Sequence, residues 1–296
     1  MAGFERIALI GFGEVGRILG RDLAAAGVAD IAAYDIAFAQ SPPTVAAPVR
    51  ACASHAEAAR GAGLVICAVT AAATLDAARA TLPGLEPGAY FLDLNSASPG
   101  QKRAACDAVE AAGGRYVESA VMTSFPPKGI ASSMLLGGPH ADELLGQLTP
   151  LGFVARVYSQ TVGEASATKM CRSVLIKGVE ALLMESMLTA RHYGVEATVL
   201  GSLSDLLPHP DWQRQARYMI SRSLEHGKRR AEEMREVART VSEAHVDPLM
   251  SAATAQRQDW AAVQYAGLSR PVFEDADLGA LLDAITALSA RSEDAA

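Results

Sequence analysis

The hexapeptide Gly11-Phe12-Gly13-Glu14-Val15-Gly16 constrains this chain more than any other stretch. It follows the apolar run RIALI and opens the segment EVGRILGRDLAAAG. A G-x-G-x-x-G pattern alone is a weak signal, but between a strand and a helix it has a physical meaning. The first glycine permits a tight turn, the second lets a ligand approach the backbone, and the third lets the helix pack against the strand. The free amides and positive dipole end of the helix then suit a pyrophosphate. All six residues are candidate cofactor contacts. Nineteen residues beyond Gly16, Asp35 closes the apolar run IAAYDI. A carboxylate there bonds both hydroxyls of an adenosine ribose and repels a 2′-phosphate. No Lys or Arg occurs between Asp35 and Arg50. The expected cofactor is therefore NAD, with NADP disfavoured.

The same alternation continues. Apolar β-like runs at 6–11, 31–36, 49–53, 64–69, 89–94, 115–122, 132–138 and 153–159 are separated by helical patterns or turns, with a loop expected at SPPT (41–44). LVICAV has no polar alternation, as expected of a strand buried on both faces. This order predicts a parallel sheet with helices on both faces. From about residue 161 the pattern turns helical, over 163–193, 196–206, 211–244, 249–264 and 276–290. The expected fold is an α/β Rossmann domain over 1–160 followed by an all-α helical domain over 161–296. Clefts between domains are preferred ligand sites, and Lys169 lies just past the expected boundary.

Composition narrows the function classes. The net charge of −7 argues against nucleic acid or an anionic membrane as the main partner. No run is apolar for long enough to span a membrane, and MAGFERIALI lacks the basic start of a signal peptide. Cysteines 52, 67, 106 and 171 form no C-x-x-C pair, and no Cys/His cluster has zinc-ligand spacing. A cytoplasmic protein with reduced thiols and no metal site is the expectation.

The turn GFGEVGRILGRDLAAAG, the segment LDLNSASP and the helix start GEASATKMCRS resemble the β-hydroxyacid dehydrogenase superfamily, which includes 3-hydroxyisobutyrate and 6-phosphogluconate dehydrogenases. The helix pattern KMxRSxxxKGxEAL is similar to a divergent branch of it. The resemblance implies oxidation of a hydroxyl β to a carboxylate, and a homodimer formed through the helical domain. It implies that Lys169, ending Gly163-x-x-x-x-x-Lys169, is the general acid/base. It also implies that Ser96 lies beside the nicotinamide and that Val69 and Thr70 pass under the cofactor. The family's substrate serine is replaced by Met122, followed by Thr123 and Ser124. Its two asparagines after the lysine are replaced by Arg172 and Ser173. The basic segment 227–238 is the counterpart of its C-terminal motif.

A lysine with an ordinary pKa of about 10.4 is a poor base near neutrality; burial or a neighbouring cation lowers it. Arg172 and Lys177 are candidate neighbours. Lys169, Ser173, Lys177 and Glu180 share one helix face. Ser96, Met122, Thr123, Ser124, Ser173, Lys177 and Arg230 are candidate substrate contacts, with His226 beside Arg230. Lys177 could instead pair with Glu180. Met122, Phe125, Met134 and Trp212 could form an apolar pocket or plain core, and Pro126–Gly129 could be a lid. Two other activities stay open. One is imine or ketone reduction, although imine reductases typically place Asp or Tyr where this chain has Lys169. The other is non-catalytic NAD-dependent regulation.

Overall fold

A computed structural model describes residues 4–40, 45, 47–203, 211–275 and 277–293; the loop expected at 41–44 lies outside them. The chain divides into two compact units, Met1–Cys171 and Arg172–Ala296.

The first unit runs β1 (Ile7–Ile10), α1 (Glu14–Ala25), β2 (Ile31–Tyr34), β3 (Val49–Ala51), α2 (His55–Ala59), β4 (Leu64–Cys67) and α3 (Thr74–Thr81). It continues with β5 (Tyr90–Asp93), α4 (Pro99–Ala111), β6 (Arg115–Val121), α5 (Phe125–Lys128), β7 (Met134–Gly137), α6 (Ala141–Leu148) and β8 (Ala155–Ser159). The eight strands form one sheet in the order β3-β2-β1-β4-β5-β6-β7-β8. Every residue of β1, β4, β5 and β7 is buried. Alternate residues serve two cores. Ile7, Leu9, Leu64, Ile66 and Leu92 face one; Ala8, Ile10, Val65, Cys67 and Phe91 face the other. That is why these strands read as continuous apolar runs.

One expectation needs correction. The sheet is not wholly parallel, because β7 runs antiparallel to β6. The connection at 122–133 carries Pro126, Pro127 and Gly129 and holds only single-turn helices. It contains no crossover helix of the kind that parallel pairing requires. The longer α6 returns the chain so that β8 pairs parallel with β7.

Helix α1 shows how the sequence sets local structure. Its buried residues, Gly16, Leu19, Gly20 and Leu23, recur at helical spacing. It stops at Gly27, whose φ of 91° suits glycine after a helix end. Ser98 caps α4 by accepting from Gln101 N at 3.3 Å, and Pro99 takes the first helical position.

Helix α7 (Glu164–Tyr193) begins in the first unit and contains the division. Its first turns belong with the sheet because two sheet-side residues hold them, as described below. The second unit contains the rest of α7, then α8 (Glu196–Leu203), α9 (Trp212–Glu243), α10 (Leu249–Gly267), α11 (Arg270–Asp275) and α12 (Leu278–Glu293). Its core joins Met184, Met187, Ile220, Leu224, Ala261, Leu281 and Ile285. Among the described residues no helix is long and apolar enough to cross a membrane.

Candidate functional site

The Gly11–Gly16 turn joins β1 to α1, as its spacing predicts. A Cβ on Gly11 would lie 2.3 Å from Ala68 O, and one on Gly16 would lie 2.1 Å from Gly11 O. Both glycines are required by the protein's own packing. Gly13 is different, since a Cβ there would meet nothing within 4 Å. The space above its backbone is open, as a ligand approaching that backbone needs. No side chain caps the start of α1, and the first helical bond is Arg17 N to Gly13 O at 3.0 Å. The amides of Glu14, Val15 and Gly16 therefore lack helical acceptors. The arrangement fits a dinucleotide pyrophosphate.

Phe12 contributes differently from its neighbours. Its ring is buried in the core, and its amide donates to Asp35 Oδ2 at 2.7 Å. The other Asp35 oxygen accepts from Ala37 N at 2.9 Å. These bonds fix the carboxylate at the end of β2 while leaving acceptor capacity on each oxygen. Val69 N donates to Asn95 Oδ1 at 2.7 Å, which ties the segment after β4 to the segment after β5. Thr70 follows on the surface.

Lys169 lies in the second turn of α7, where its Nζ donates to Ser96 Oγ at 2.7 Å. Both residues are half-buried. Two residues that the sequence reading missed hold this pair in place. Glu118 on β6 is fully buried and accepts from the amides of Gly163 at 2.8 Å, Ala165 at 3.1 Å and Ser166 at 3.3 Å. It thus caps the start of the helix that carries Lys169. Gly137 leaves room for it, since a Cβ there would lie 2.5 Å from Glu118 Oε1.

The second is Lys102 of α4, which is fully buried. Its Nζ reaches Asp93 Oδ1 at 2.8 Å and the Asp93 carbonyl at 3.0 Å. Tyr116 OH donates to Asp93 Oδ2 at 2.7 Å, and Asn95 N donates to Oδ1 at 2.9 Å. Burial first, then the Asp93 charge, pushes the Tyr116 phenol well above its ordinary value, so it remains a donor. Asp93 ends β5 three residues before Ser96, and this network fixes the backbone from which Ser96 projects. Burial pushes the nearby Cys67 thiol up to about 12, so it stays protonated. An Asp nine residues ahead of a helical Lys is the only trace of this network in the sequence.

The other expected site residues are not all brought together. Met122 packs with Ala120, Leu135 and Ala165. Thr123 and Ser124 are exposed on the segment after β6. Phe125 and Met134 belong to the core of the first unit, and Trp212 packs on that of the second, which favours plain core over a pocket. The Pro126–Gly129 segment is pinned at its end: Asp22 of α1 accepts from Ile130 N at 3.1 Å, and Ile130 is buried.

In the second unit the candidate cations are paired. Lys177 Nζ lies 2.9 Å from Glu233 and 3.1 Å from Ser173 Oγ. Arg230 is buried and makes a two-pronged pair with Glu180. The pairing of Lys177 with Glu180 that helix spacing allowed does not occur, because α9 supplies a partner for each. His226 contacts Arg222 at 2.7 Å, and Arg172 is exposed.

Residues 6–143 match the NAD binding domain of 6-phosphogluconate dehydrogenase, and residues 190–261 match a domain of unknown function, DUF1932. The chain is 33% identical to a conserved hypothetical protein from Sinorhizobium meliloti 1021, over 95% of this chain and 96% of that one, with a TM-score of 0.72. It is 31% identical to a conserved protein of unknown function with structural similarity to 3-hydroxyacid dehydrogenases. That match covers 86% of this chain and 96% of the other, with a TM-score of 0.67. The 3-hydroxyisobutyrate dehydrogenase of Mycobacterium tuberculosis shares the fold, at 17% identity over 96% of this chain and 99% of that one, with a TM-score of 0.69. The chain carries a nicotinamide-dinucleotide-binding domain and belongs, as a divergent member, to the β-hydroxyacid dehydrogenase superfamily.

Proposed function

We propose that the protein is an NAD-dependent dehydrogenase that oxidises the hydroxyl of a small or medium hydroxy acid. The observation that carries this reading is the hydrogen bond between Lys169 and Ser96 in the unit that holds the Gly11–Gly16 turn. Family membership supports the reaction class, and Asp35 supports NAD over NADP.

Bound NAD supplies the hydride acceptor. The amides at the start of α1 would hold its pyrophosphate and Asp35 its adenosine ribose, with Val69 and Thr70 as further contacts. Lys169 Nζ takes the hydroxyl proton during oxidation and returns it in the reverse direction. In the neutral amine, one N–H is given to Ser96 Oγ, and the nitrogen lone pair is the proton acceptor. Ser96 thus orients the base.

Ser96, Thr123 and Ser124 are the proposed polar contacts of the substrate, and Met122 offers it an apolar surface. The pair of Arg230 with Glu180 argues against Arg230 as a carboxylate anchor, because freeing it would leave the buried Glu180 carboxylate without its cation; Lys177 is engaged by Glu233, which also pairs with Arg229. A homodimer through the helical domain is part of the reading. Leu182 and Met250, 57% and 58% exposed, line one open hollow with Ala181, Ala253 and Trp260. Light scattering tests this: a single-chain mass of 30.9 kDa in solution would contradict it.

The test of function is a spectrophotometric panel of hydroxy acids, aryl alcohols and imines, run with both cofactors in parallel. NAD-linked oxidation of a hydroxy acid is expected. Turnover of imines alone would replace this reading with imine reduction. Tight NADH binding with no turnover across the panel would favour a regulatory protein.

A further inference from the structure

The rings of Tyr34 and His55 lie 4.5 Å apart, centroid to centroid, tilted by 56°. Tyr34 ends β2, one residue before Asp35, and His55 opens α2. Both are half-buried. Tyr34 also meets Phe38 edge-on at 6.3 Å, and Phe38 meets Phe12 at 6.0 Å. Aromatic residues make up only 5% of the chain, yet three of them gather with His55 around the end of β2. This is where Asp35 stands.

The charges around His55 come from several elements. Just after β2, Asp35 favours the imidazolium, while partial burial has the larger, opposite effect and lowers the His55 pKa from its ordinary value. The other elements against α2 add little. Strand β1 and the turn Leu82–Gly84 have no titratable side chain. Asp76 and Arg79 of α3 are exposed. Glu57, on α2 itself, lies 3.9 Å from Arg50 of β3, whose Nη1 also reaches Cys52 Sγ at 3.0 Å. Of these charges, only Asp35 acts on His55 appreciably.

We infer that His55 is a second specificity-determining residue for the ribose end of the dinucleotide, acting beside Asp35. When neutral, His55 leaves the Asp35 carboxylate uncompensated, and a 2′-hydroxyl is preferred. When protonated, it offsets that carboxylate, and a 2′-phosphate is better tolerated. The cofactor preference becomes a function of pH, with NAD discrimination strongest above the ordinary imidazole range. The inference rests on the dinucleotide reading of the Gly11–Gly16 turn, and its test separates the two.

The test is titration calorimetry of the full-length protein with NAD and NADP at about pH 8 and about pH 5, on either side of the ordinary imidazole range. The 2′-phosphate itself takes up a proton at about pH 6, so wild type is compared with His55→Asn, which shares that effect. On lowering the pH, the ratio of the NADP Kd to the NAD Kd should fall about three- to five-fold further in wild type than in His55→Asn. His55→Lys should lower this ratio already at the higher pH. Binding of both cofactors with the same pH response in wild type and His55→Asn, and no change in His55→Lys, would overturn the role of His55 alone. Failure of either dinucleotide to bind at either pH would overturn the cofactor reading and this inference with it.

Discussion

Lys169 Nζ stands 2.7 Å from Ser96 Oγ, a bond that ties the second turn of α7 to the segment after β5. A hydrogen bond to a group that becomes charged is worth about 1.5–3 kcal/mol. Ser96→Ala should therefore lower kcat/KM about 10- to 100-fold. It should also move the pH profile of kcat, because the amine loses the acceptor that favours its protonated form. An unchanged profile in steady-state assays across pH would remove Ser96 from the orientation of Lys169.

The glycines of the nucleotide turn should separate by function. Gly13→Ala has room for its Cβ, so the thermal midpoint should barely move. NADH affinity, read by fluorescence titration, should drop by about ten-fold or more as amide contacts to the phosphates are lost. Gly16→Ala drives its Cβ into Gly11 O and should lower stability by about 1–3 kcal/mol even without cofactor. Equal destabilisation by both changes would contradict the open space at Gly13.

Glu118 satisfies three amides at the start of α7. Glu118→Ala strands buried donors, each costing about 1–3 kcal/mol. Chemical denaturation should show a loss of about 3 kcal/mol or more, with Glu118→Gln intermediate because one oxygen remains. A neutral effect of Glu118→Ala would mean that water or a neighbouring group replaces the cap.

Lys102→Met leaves the buried Asp93 carboxylate without its cation, a change that costs about 3–5 kcal/mol. Adding Asp93→Asn removes the stranded charge and should recover more than half of that loss, as urea midpoints of the two variants would reveal. Additive losses in the double variant would show that the two residues do not act as a pair.

Much of this architecture is legible in the sequence, for identifiable reasons. Gly11 and Gly16 sit where a Cβ would strike backbone, and Gly13 keeps the space above the turn open, so their spacing exposes the turn and the helix behind it. Strands buried on both faces leave uninterrupted apolar runs such as LVIC. The helix 163–193 is readable because its length exceeds any strand. What stays hidden depends on partners far along the chain. Lys102 reads as one more charge on a helix until Asp93 and Tyr116 are seen to bury it. Glu118 looks like an edge carboxylate until α7 brings three amides to it. Lys177 of α7 and Arg230 of α9 look like substrate contacts until the packing of the two helices pairs them with Glu233 and Glu180. The antiparallel course of β7 stays hidden as well, because an apolar pattern gives a strand but not its direction.

If Lys169 moves the proton, Lys169→Ala must stop the chemistry without releasing the cofactor. The measurement is single-turnover hydride transfer, followed as NADH absorbance with the best substrate of the panel, with NADH affinity determined in parallel. The rate should fall about 10²- to 10⁴-fold, with the NADH Kd within about two-fold of wild type. A rate near that of wild type, at matched cofactor saturation, would contradict it.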